Sequence, residues 1–289
     1  MDRIAGGILV LVLGLSVAAA EEGRDKPATP AEQFQALIKD YQSARADLAK
    51  AKTDEERKKL IERRDKVPPK ILELAQNHPR EPIAVDALFD MVWFGMPGSD
   101  KALALLQRDH ARSDRLSQVR TQTAFGSPQD VTIMQQVSAF FSKEGETFLR
   151  TVLETNPHRH VQGLACLALA QFQISRLHRL DLFKERPDLA SHYEKLYGKD
   201  FLDDLQRNRD KAAREAEALF ERAVETYGDV KFPSGGTVGE KAKTALFGIR
   251  DLTVGKEVPD IAGEDQDGKC FKLSDYRGKV VLLYFWHQH

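Results

Sequence analysis

The chain has 289 residues, a formal net charge of −1, 42% hydrophobic and 30% charged residues. That apolar fraction excludes a disordered chain, and a charge so near zero leaves no global field for nucleic acid or an acidic membrane surface. The length allows two modest domains with a buried core.

In chain order, Met1-Asp2-Arg3 is a short positive head once the amino terminus is counted. Ile4 to Val17 is uncharged and mostly apolar, and Ala18-Ala19-Ala20 precedes Glu21-Glu22. This is the pattern of a secretory signal peptide over residues 1–20, with cleavage after Ala20, so the protein is expected to be exported, periplasmic or secreted. An uncleaved anchor is the alternative and would leave the chain membrane-tethered, but the apolar stretch is short against the roughly 20 residues of a bilayer span. No later run is long and apolar enough, so no stable span is expected after cleavage.

Residues 21–30 (EEGRDKPATP) read as a polar linker. From Ala31 to Leu252 nearly every segment reads as helix. Phe34, Leu37, Ile38, Tyr41 and Ala44 form one stripe of an amphipathic helix. Thr53 and Glu56 make a capping box ahead of a charged helix, which Pro68-Pro69 stops and restarts; its charge run reads as a solvated face. Ile83–Phe94 and Gly163–Phe172 are apolar on most faces and predict buried helices. Each follows an Asn/His/Pro turn, Asn77-His78-Pro79 and Asn156-Pro157-His158, a hint of a duplicated helical hairpin.

Ala216, Leu219, Phe220, Ala223, Val224 and Tyr227 continue at helical spacing until Gly228 ends the run. Their pattern resembles the second half of a tetratricopeptide repeat, which would give a degenerate stack of helix pairs with a concave surface for a protein or peptide partner. Residues 230–239 form a loop, and one more helix covers Glu240–Leu252.

From Val254 the periodicity becomes strand-like. Asp267-Gly268 is a tight-turn dipeptide inside a hairpin predicted over Ile261–Leu273. Residues 274–278 form a loop with a single helical turn. Val280–Trp286 is a continuous apolar run, expected to be a strand buried on both faces. The fold class is therefore mainly α, with helical hairpins that resemble a degenerate tetratricopeptide type, followed by a partial α/β segment. The expected divisions are a signal at 1–20, a linker at 21–30, a helical domain at 31–252 and a final segment at 253–289.

The residues of that final segment are Gly255, Pro259-Asp260, Gly263, Asp267-Gly268-Lys269 and Phe271 to Lys279, then the Val/Leu run ending Phe285-Trp286. Their order resembles the opening of the exported thioredoxin-like proteins. That group includes the alkyl hydroperoxide reductase/thiol-specific antioxidant (redoxin) family and the thiol-disulfide oxidoreductases of cytochrome maturation. The resemblance covers about 36 residues and implies a thioredoxin-like domain with redox or peroxide-reducing activity. In the family the strand ending Phe-Trp is followed by Trp-Cys-x-x-Cys at a helix amino end, where the helix dipole stabilises a thiolate.

Here the run leads into His287-Gln288-His289 with no CxxC, so the chain reads as truncated before the chemistry and catalytically incompetent. A shifted or prematurely stopped reading frame, a helical part that works alone, and a remainder that is dispensable or supplied by a partner all stay open. The exposed strand would then be prone to aggregate unless the helical domain covers it.

Cys166 and Cys270, the two cysteines, lie too far apart for a CxxC or a metal knuckle. Both read as structural; a disulfide between them is neither required nor excluded by spacing. Cys270 precedes the strand and is not carried over as a nucleophile. His287 and His289 share one face of an extended chain but lack a third ligand. His158-Arg159-His160 read as turn residues with solvent contacts, Ser234-Gly235-Gly236-Thr237 is too short for a phosphate loop, and Asp203-Asp204 sit in a charged helix. No catalytic, cofactor-binding or metal residue is nominated, and no cofactor is called for.

Overall fold

The computed structural model describes residues 28–124, 127–139, 142–197 and 199–284. The predicted signal peptide and the terminal Phe285–His289 lie outside the described residues. Twelve helices are described: α1 Pro30–Leu48, α2 Asp54–Asp65, α3 Val67–Asn77, α4 Pro82–Trp93, α5 Ser99–His110, α6 Ile133–Ala139, α7 Lys143–Thr155, α8 Arg159–Glu185, α9 Pro187–Tyr197, α10 Lys199–Arg207, α11 Arg209–Tyr227 and α12 Val238–Asp251. Two small hairpins accompany them, β1 Val119–Ala124 with β2 Ser127–Thr132 and β3 Ala262–Glu264 with β4 Cys270–Lys272. The mainly helical architecture with a small carboxy-terminal hairpin is the fold class the sequence indicates. The chain divides into two compact units at Ala102/Leu103, inside α5.

In the first unit α1 buries Phe34, Ile38, Tyr41 and Ala44, the predicted stripe. Thr53 accepts from the Glu56 amide at 3.2 Å while Glu56 reaches back to the Thr53 amide, closing the capping box that starts α2. No residue of α2 is buried, so its charge run is indeed a solvated face. Pro68 and Pro69 sit in the first turn of α3, where a missing N–H costs nothing. α4 buries seven of its twelve residues, including Leu88, Phe89 and Met91.

In the second unit α8 is the central helix. Ten consecutive residues, Gly163 to Phe172, are apolar except Gln171, and nine of the ten are buried. Such a helix needs neighbours on every side, and α6, α7 and α11 supply them. α11 packs closely because Gly163 faces Tyr227: a Cβ at Gly163 would stand 3.1 Å from the Tyr227 Cβ. α12 then lies against α11 across a backbone contact. Gly239 N–H donates to Gly228 O at 3.2 Å and Val238 N–H to Val230 O at 2.9 Å. Gly228 ends α11 in right-handed rather than left-handed backbone (φ −58°, ψ −30°), because its task is this close approach.

The Asn156-Pro157-His158 turn is locked from inside. Asn156 is 1% exposed; its amide donates to Ala111 O at 2.7 Å and Ser113 O at 3.0 Å and accepts from His158 N–H at 2.9 Å. Asn77 in the other Asn/His/Pro turn is exposed, so the two turns are held by different means.

Three expectations are corrected. The β1–β2 hairpin, paired antiparallel from Val119↔Thr132 to Ala124↔Ser127, falls in the stretch 31–252, nearly every segment of which reads as helix in the sequence. Arg159 is not only in solvent contact: it grips Asp229 at 2.5 Å and Thr226 O at 2.6 Å, tying the start of α8 to the end of α11. Finally, Val280–Tyr284 form no strand and are exposed, Val280 at 103% and Leu282 at 91%. No strand among the described residues pairs with them, and even Val281 and Leu283 stay 42% and 46% exposed.

Candidate functional site

The sequence directs attention first to the segment from Val254, and its motif residues each have a local structural task. Asp260 accepts from both the amide and the hydroxyl of Ser274, each at 2.8 Å, strapping the entrance of the hairpin to the 3-10 turn Leu273–Tyr276. These two bonds hold the Asp260 carboxyl below its ordinary pKa. Asp265 closes the hairpin turn by accepting from the Asp267 and Lys269 amides at 3.0 and 2.9 Å. Gly268 takes φ +76° in that turn, a conformation side chains disfavour. Across the strands Gly263 pairs with Phe271, and the ring packs on the bare glycine, 3.4 Å from where a Cβ would be. Arg277 pairs with Glu257.

The hairpin Ile261–Leu273 and the helical turn after it are thus as the sequence predicts. All of this bracing is local, and no residue from Asp251 to Tyr284 is buried.

The two cysteines are separate and free: Cys166 is buried and Cys270 exposed. The Cys166 thiol donates to Leu219 O at 3.3 Å within the α8–α11 core, and burial pushes its pKa up to about 11. A thiol so disposed is a packing group, since reactivity needs thiolate. Cys270 lies on β4 with no second sulfur near it. His287 and His289 lie outside the described residues, and Ser234–Thr237 form a turn in which Thr237 caps α12 with Glu240. Among the described residues no group of three or more His, Cys, Asp or Glu is placed to hold a metal ion.

A second site was not legible as such. Helices α7, α8, α10 and α11 enclose a cleft of about 560 Å³ in the second unit. Its inner wall is a network of ions around one buried amide. Glu146 accepts from Arg150 at 2.6 Å, Arg176 at 3.0 Å and Gln173 at 3.1 Å. Glu215 pairs with Arg150 at 2.5 Å and accepts more weakly from Gln173 at 3.4 Å. Gln173 itself is 1% exposed. Glu215 and then Glu146 raise the Arg150 pKa against the pull of burial, so its charge is permanent.

The rim is more open: Asp204, of the pair assigned to solvent, faces Arg176 at 3.6 Å, beyond hydrogen-bond range. Phe172, Leu205 and Ala212 give the cleft an apolar floor. The sequence signal was Gln173 interrupting an apolar helix, with Glu146 and Arg150 at i,i+4 on the neighbouring one.

Among the described residues no helix is long and apolar enough to cross a membrane. No curated protein and no solved structure was found to match the chain. The AhpC/TSA family model matches residues 254–289, the stretch whose turns and braces are described above. That match supports a thioredoxin-like redoxin lineage for the segment from Val254 onward.

Proposed function

We propose that this is an exported protein of the thiol-disulfide and peroxide-reducing lineage, in which residues 31–252 form a partner-binding helical part and residues 253–289 belong to a redox domain. One observation carries the reading: residues 254–289 match the AhpC/TSA family model, and within them the hairpin and its Asp267-Gly268 turn form as their order implies, while Val280–Tyr284 form no strand. The signal-like residues 1–20 support export.

Within these 289 residues there is no CxxC pair, Cys166 is protonated and buried, and Cys270 has no resolving partner. Exchange needs an accessible thiolate and a second sulfur to release the mixed disulfide. These residues therefore carry no catalytic redox turnover of their own. An insulin-reduction assay and a peroxide-consumption assay with dithiothreitol test this directly. Rates equal to the dithiothreitol blank are expected, with or without Cys270→Ser; turnover lost on Cys270→Ser refutes the reading. Fractionation of cells expressing a carboxy-terminally tagged chain tests export, and retention of the full-length chain in the cytoplasm would count against it.

The second reading is a helical interaction module, which the polar cleft of the second unit favours.

A further inference from the structure

We draw no further inference here: the strongest candidate, the polar cleft between α7, α8, α10 and α11 in the second unit, carries none, because it belongs to the site already described and nothing among the described residues shows what would occupy it.

Discussion

Gly239 and Gly248 both lie in α12, and replacing each by alanine places the same methyl group in opposite surroundings. At Gly239 an ideal Cβ falls 2.7 Å from Gly228 Cα and 2.8 Å from Gly228 O. Carbon contacts are comfortable at about 3.5–4.0 Å, so the α11–α12 connection must open by about an ångström. That movement stretches the Gly239–Gly228 and Val238–Val230 hydrogen bonds. Overpacking costs about 1–3 kcal/mol and a forfeited backbone bond about 1 kcal/mol, while the helix preference of alanine returns up to about 1 kcal/mol.

The expected net loss for Gly239→Ala is about 2 kcal/mol, a fall in Tm of about 4–8 °C at this chain size. At Gly248 nothing lies within 4 Å of the new methyl, so only the propensity gain of about 0.5–1 kcal/mol remains and Tm should rise by about 1–4 °C. Far-ultraviolet circular dichroism melts of the full chain read both. Shifts of the same sign, or a neutral Gly239→Ala, would show that the two backbones are not in contact.

Thiol titration of the native chain should find one reactive group, Cys270, and the second only on unfolding, because Cys166 is buried. The Cys166 pKa is raised by burial to about 11. Its contribution to stability is therefore intact below the unfolded thiol value of about 8.5 and declines as pH climbs toward 11; denaturant midpoints across that window check the sign. For Asp260 the shift runs downward from 3.8. Its bonds to Ser274 are kept above the unfolded value and lost as pH falls through the lower folded one, so the Ser274 amide resonance should titrate below pH 3.8 and stop doing so in Asp260→Asn. Removing the α2 cap with Thr53→Ala should cost about 1 kcal/mol in a urea melt, and Thr53→Ser should restore most of it.

Where local chemistry decides the structure, the residues announce it. The Thr53/Glu56 box, the proline start of α3, the apolar α8 and the Asp267-Gly268 turn all follow from interactions a few residues long. The β1–β2 hairpin was hidden because its arms, VRTQTA and SPQDVT, are mostly polar and carry no apolar alternation. The cleft was hidden for another reason: Glu146, Gln173, Arg176 and Glu215 come from three helices, and nothing in their sequence positions says that those helices meet. Val280–Tyr284 shows the converse, since an apolar strand pattern fixes a preference while burial depends on neighbours.

The solvated stretch from Asp251 to Tyr284 has a practical corollary. A protease nick between Thr253 and Glu257 should release the redoxin-like piece while the helices melt as before, since none of its described residues is buried. The same seam is a natural splice point: the helical body can be grafted ahead of a different carboxy-terminal module without repacking.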